Sequence, residues 1–154
     1  ICPRTSDEHQ FYFIDSADWV NIVPVTSDQE IVFVRQFRHG SEKITLEIPG
    51  GMVDPREDPQ VAAVRECMEE SGYEAGTVKP LGILNPNPAI FRNRLHTYVA
   101  KDCSPVAEIS NTSTEHTELV LVPMTDLPDM LQSGEIDHAL VAATLWRLLY
   151  QEKI

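Results

Sequence analysis

Glu66, Glu69 and Glu70 are the side chains of this chain with the most chemistry to offer. Asp58 suits an N-cap, Pro59 suits a first helical position and Gly72 suits a C-terminal stop, so residues 59–71 are predicted to form a helix. At about 100° per residue, Val61, Val64 and Met68 fall on one side and the three glutamates fall together on the other. Helix packing does not ask for that arrangement. Glu66 and Glu70 are like charges one turn apart, which costs roughly 0.2–0.5 kcal/mol. All three glutamates stand in the second half of the helix, where the dipole disfavours an anion by roughly 0.3–1 kcal/mol. A local conflict of this kind is expected where function demands it. A hard cation with oxygen ligands would relieve it, and Mg²⁺ or Mn²⁺ is the natural candidate. The plain alternative is a solvated acidic helix face.

The residues around the helix weigh against that alternative. Gly51, Glu57, Arg65, Glu66, Glu69, Glu70 and Gly72 occupy all seven fixed positions of the pattern G-x5-E-x7-R-E-U-x-E-E-x-G-U, with Cys67 and Tyr73 at its two apolar positions. The stretch resembles the Nudix box. That resemblance implies an α/β/α sandwich with a mixed β-sheet, formed by one domain over residues 1–154. It also implies a pyrophosphohydrolase whose box glutamates Glu66, Glu69 and Glu70 hold divalent metal, with a backbone carbonyl at Gly51 or Met52 as a further ligand. Arg65 can pair with Glu69 at (i, i+4), and with Glu57 it is expected to orient the metal-binding carboxylates. The resemblance further implies a loop glutamate that completes the site or serves as general base. Glu115 is the choice for that role, ahead of His116.

Segments outside the box are similar to the ADP-ribose pyrophosphatase branch of the family. They are Val34-Arg35-Gln36-Phe37-Arg38, the approach Leu46-Glu47-Ile48-Pro49-Gly50-Gly51, Pro88 sixteen residues after Gly72, and Gly134-Glu135-Ile136 before Asp137. Arg35 and Arg38 have the forked donors that suit phosphate, but on one strand they point to opposite faces. Arg38, with Gln36 on its face, is the stronger candidate for substrate contact. Glu47 could accept a hydrogen bond from adenine or ribose, or pair with a neighbour. Asn85–Arg94, with two Asn-Pro steps, reads as a stiff loop that could wall the site with Asn87, Arg92 or Asn93. It could equally be a purely structural connection. Aromatic partners for adenine could come from Phe11, Tyr12, Phe13 or Trp19.

The elements that must position these residues follow from periodicity and turn signals. Strands are predicted at 10–14, 19–25, 31–37, 43–48, 78–84, 94–100 and 119–122, with a polar loop over 101–117. A short helix capped by Asp126 ends before Gly134, and an amphipathic helix runs from Asp137 to about Gln151. Few helices among many strands suggest a mixed sheet covered on both faces.

The length of 154 residues fits one domain with a sizeable core. A formal charge of −12 argues against a nucleic-acid binder, so an anionic small molecule needs metal and local arginines to reverse the field. No run approaches a membrane span. Three cysteines, Cys2, Cys67 and Cys103, lack metal-ligand spacing and read as reduced thiols of a cytoplasmic protein. The chain starts at Ile1, so an upstream segment is compatible with the sequence. The apolar segment 10–25 suggests a homodimer interface. The expected reaction is hydrolysis of ADP-ribose or a related ADP-sugar to AMP and a sugar phosphate. Its rivals are cleavage of NADH, other nucleotide sugars or diadenosine polyphosphates, a non-hydrolytic ADP-ribose sensor, and an interaction protein. The intact box glutamates weigh against the sensor.

Overall fold

β1 (Trp19–Thr26) is buried along almost its whole length. That is what its run of Val, Ile and Val demands, and it makes β1 the central strand. In the computed structural model, which describes residues 1–111 and 116–151, β1 is flanked by β2 (Glu30–Arg38) on one side and β7 (Leu95–Pro105) on the other. The β1–β7 pair is parallel, in the register Trp19↔Leu95 through Ala100 opposite Pro24, and the other strand pairs are antiparallel. β3 (Lys43–Glu47) and β8 (Thr117–Pro123) pair with β2. β4 (Gly50–Met52) pairs with β1, while β5 (Tyr73–Glu74) and β6 (Thr77–Leu84) pair with β7.

Both faces of this mixed sheet are covered. Val20, Ile22 and Val32 pack with Ala62, Ala63 and Cys67 of α1 (Pro59–Ser71). Val23, Val25, Ile31 and Phe33 pack with Leu127 and Leu131 of α2 (Leu127–Ser133) and with Val141, Leu145 and Leu148 of α3 (Ala139–Gln151). The result is the α/β/α sandwich that the sequence predicts. A central strand buried on both faces carries apolar residues at odd and even positions alike.

α1 has the predicted caps. Asp58 Oδ1 accepts from the Gln60 N–H at 2.8 Å, and Gly72 takes φ 73° and donates its N–H to the Met68 carbonyl. Its buried face differs from the predicted one. Ala62, Ala63, Cys67 and Ser71 face the sheet, while Val61 is 58% exposed. Small side chains let the helix axis approach β1 closely, and that approach, rather than hydrophobicity, selects the face. At about 100° per residue, Glu66 and Glu70 then lie on the arc between Ala62 and Cys67, not opposite the core.

Other boundaries moved for physical reasons. Residues 10–14 are not a strand: Phe11, Tyr12 and Phe13 are exposed, and only Ile14 forms an isolated bridge, to Phe91. β7 continues through the polar residues 101–105 because Lys101 pairs with Thr77, Ser104 with Glu74 and Pro105 with Tyr73. Asp126 makes no side-chain cap. α3 begins two residues after Asp137, with the His138 carbonyl accepting from the Ala142 N–H at 2.9 Å. The chain after β7 is stitched to the end of α1: Val106 and Ala107 donate to the Gly72 carbonyl, Ser110 to Glu69 and the Thr117 hydroxyl to Glu70.

Candidate active site

β4 and α1 form the acidic half of the site. The Gly50 N–H donates to Glu70 Oε2 at 2.9 Å, which fixes the turn of β3 into β4 against the helix. At Gly51 an added Cβ would run into the Glu66 carboxylate. Arg65 is the hub. Its Nε and Nη2 donate to the two oxygens of Glu57 at 3.0 and 3.1 Å, and its Nη1 donates to Glu66 at 2.8 Å and to Glu69 at 3.0 Å. Its Nη2 also reaches the Met52 carbonyl at 3.1 Å. Donation to Glu57, then to Glu66 and Glu69, holds the guanidinium above its ordinary pKa despite partial burial. Hydrogen bonds from Arg65, helped by the Asp54 N–H, hold the Glu57 carboxyl below the usual range. Arg65 thus ties Glu57, Glu66 and Glu69 into one hydrogen-bonded group.

Gly51→Ala tests that packing. Gly51 does not take a positive φ, so alanine fits its backbone and acts only by displacing Glu66. Catalytic groups misplaced by about 1 Å can cost about 10²-fold in rate. Gly51→Ala is expected to lower kcat by about that factor while urea denaturation shows a stability change within about 1 kcal/mol.

The facing wall comes from distant parts of the chain. Arg38, at the end of β2, grips Glu47 with two hydrogen bonds of 2.7 and 2.8 Å. The Thr45 hydroxyl adds a third at 2.6 Å, and His138 Nε2 stands 3.9 Å from the same carboxylate. Burial alone would raise the Glu47 pKa, but the Arg38 and Thr45 hydrogen bonds outweigh it and hold the carboxyl below its usual range. His138 Nδ1 lies 3.5 Å from the Val141 N–H at the start of α3, which leaves Nε2 towards Glu47. Between the two halves lies a cleft of about 480 Å³, within the range of small-molecule sites. Trp19, Asn21, Leu95 and Leu140 complete its walls.

Of the predicted residues, Glu66, Glu69, Glu70, Arg65, Gly51, Met52, Arg38, Glu47 and Trp19 line this cleft, whereas Phe11, Tyr12 and Phe13 do not. Glu57 lies behind Arg65. Arg35 is exposed beside Glu118 on β8, and Gln36 is buried between Thr45 and Thr117, so neither lines it. The alternation of the strand separates Arg35 from Arg38, as predicted. Pro88, Asn87, Arg92 and Asn93 also lie off the cleft wall. Their loop clamps the segment before β1 instead. Asn93 Nδ2 donates to the Ala17 carbonyl at 3.0 Å, the Arg94 N–H donates to Asp18 Oδ1 at 2.8 Å, and the Arg92 guanidinium lies 4.0 Å over the Phe13 ring. Glu115 lies outside the described residues. Asn21, Asp54 and His138 are polar cleft residues that sequence reasoning missed. The signals were an Asn inside an apolar strand and a His at a helix start.

The donor set suits a hard divalent cation: carboxylates on one helix, and a glycine whose missing side chain makes room for Glu66. Among the described residues no three acidic, His or Cys side chains close into a metal-holding group. Arg65 instead takes one oxygen of Glu66 and one of Glu69. Glu66, Glu69 and Glu70 would hold the metal by turning oxygens towards the cleft.

The NUDIX domain family model matches residues 16–145, and the chain belongs to that family. The ADP-ribose pyrophosphatase of Bacillus subtilis (strain 168) is 28% identical over 136 residues, covering 88% of this chain and 74% of that protein. Putative nudix hydrolase 2 of Caenorhabditis elegans is 44% identical over 141 residues, covering 84% of this chain and 62% of its own length. Among solved structures, an ADP compounds hydrolase superposes with a TM-score of 0.79 at 27% identity, covering 88% of this chain and 72% of that one.

Proposed function

We propose that this chain hydrolyses the diphosphate linkage of ADP-ribose or a related ADP-sugar, releasing AMP and a sugar phosphate. The observation that carries this reading is the pairing, across one cleft, of the box carboxylates with the Arg38–Glu47 wall. Similarity to an ADP-ribose pyrophosphatase and an ADP compounds hydrolase supports the substrate class. Glu66, Glu69 and Glu70 hold Mg²⁺, with Mn²⁺ as a substitute. When bound, the metal supplies charge neutralisation at the diphosphate and activation of water. Arg38, oriented by its fork to Glu47, faces the ligand's phosphates. A glutamate, Glu115 or one of the box helix, takes the proton from the attacking water. The protein acts as a homodimer through the exposed apolar stretch at 11–14, where Phe11 and Tyr12 are 81% and 80% exposed; the rest of the expected interface, residues 19–25, is buried inside the sheet as β1 and takes no part.

The test is product analysis with ADP-ribose, NADH, GDP-linked sugars and diadenosine polyphosphates, with and without Mg²⁺. Metal-dependent AMP release from ADP-ribose is expected. Turnover confined to another member of the panel would keep the chemistry and replace the substrate. Binding of ADP-ribose without turnover of anything would make this fold a sensor.

A further inference from the structure

Asn21 does not fit its place in the fold. It sits in β1 between Val20 and Ile22, with 9% of its surface exposed. Asn is poorly suited to strands, and a central strand that serves only the core would carry an apolar residue there. Its amide nitrogen is buried and has no hydrogen-bond partner among the described residues. Neighbouring groups are already engaged. Thr97, opposite Asn21 on β7, donates its hydroxyl to the Gly82 carbonyl at 2.8 Å. The Gly50 N–H, opposite on β4, goes to Glu70. A Cβ at Gly50 would strike the amide oxygen, so the side chain of Asn21 packs against the glycine at the turn into β4. Asn21 also lines the cleft, close to Trp19.

A buried donor without a partner is costly, and sites that break a folding rule are commonly sites of function. We infer that Asn21 is a substrate-positioning residue, whose amide N–H donates to an uncharged acceptor, a sugar oxygen or a base acceptor atom, on the group attached to the diphosphate. This rests on the reading of the cleft given under Proposed function. The phosphates are served by the metal-binding carboxylates and Arg38, which leaves a neutral, directional donor for the uncharged part of the ligand. The soft terminal torsion of Asn lets the amide turn towards the occupant.

The inference makes stability and binding move in opposite directions. Asn21→Val removes the orphan donor from an apolar strand, so its Tm should equal or exceed that of the wild type. Its affinity for the ligand part it contacts should fall about 10-fold. Calorimetry with AMP and with ribose 5-phosphate, in Mg²⁺ buffer, reads this without turnover. Loss for AMP alone places the contact on the nucleoside side, and loss for ribose 5-phosphate alone places it on the sugar phosphate side. Asn21→Ala, which adds no branched side chain, should show the same loss. The inference is overturned if both variants bind both probes as the wild type does, or if the wild type binds neither. A fall in Tm with unchanged binding assigns Asn21 a structural role and also overturns it. A wild type that cleaves nothing but binds AMP through Asn21 would refute the hydrolase reading and leave this one standing.

Discussion

Glu70→Gln is expected to lower kcat for ADP-ribose by about 10³-fold, the scale seen when one electrostatic stabiliser is removed from an active site. Glu70 accepts a hydrogen bond from a neutral donor, the Gly50 N–H. A glutamine oxygen can still accept that bond, so the turn into β4 stays in place while the charge is lost. Stability should rise slightly. The change removes an anion from the C-terminal half of α1 and a like-charge neighbour of Glu66, each worth a few tenths of a kcal/mol. Steady-state kinetics beside urea denaturation read both quantities. Activity within a factor of about 10 of the wild type would remove Glu70 from the catalytic set.

Arg38→Ala is expected to destabilise the fold by about 2 kcal/mol at pH 7. Removing one member of a buried pair costs more than that, but the Arg38 side chain is 41% exposed and its contribution is screened accordingly. The loss arises at Glu47, whose side chain is 4% exposed and would keep its charge without the fork. In the wild type the Glu47 pKa is depressed on folding. Its stabilising contribution is therefore present above the carboxylate's unfolded pKa of about 4.3 and is lost as pH falls through the folded value. In Arg38→Ala burial dominates and the folded pKa rises above the unfolded one. Stability of the variant then falls as pH rises from about 4.3 through that raised value. The gap between the two proteins should shrink to under about 1 kcal/mol near pH 4. Denaturant midpoints at pH 7 and pH 4 measure it, and a gap of equal size at both would show that Arg38 does not act through Glu47.

What could be read from the sequence followed the range of each interaction. The caps of α1, the glutamate set and the alternation that separates Arg35 from Arg38 depend on residues close in the chain, and all of these geometries appear in the structure. The buried face of α1 was misread because Ala62, Ala63 and Cys67 are selected by their small size against β1, a tertiary property. The aromatic run at 10–14 had strand composition but found no ladder partner beyond Ile14 and Phe91. Lys101–Pro105 had loop composition and found β5 and β6. The role of His138 depends on its meeting Glu47, 91 positions earlier in the chain, and no local pattern encodes that distance.

The acidic half of the cleft is written in one contiguous segment, from Gly50 to Glu70, while the opposite wall is gathered from β1, β2, β3 and the start of α3. This division has an evolutionary consequence. A change at Arg38 or His138 alters the opposite wall from outside the acidic segment, whereas a change at Arg65 reaches Glu57, Glu66 and Glu69 at once. Descendants of such a chain can therefore diverge in diet while keeping the same teeth.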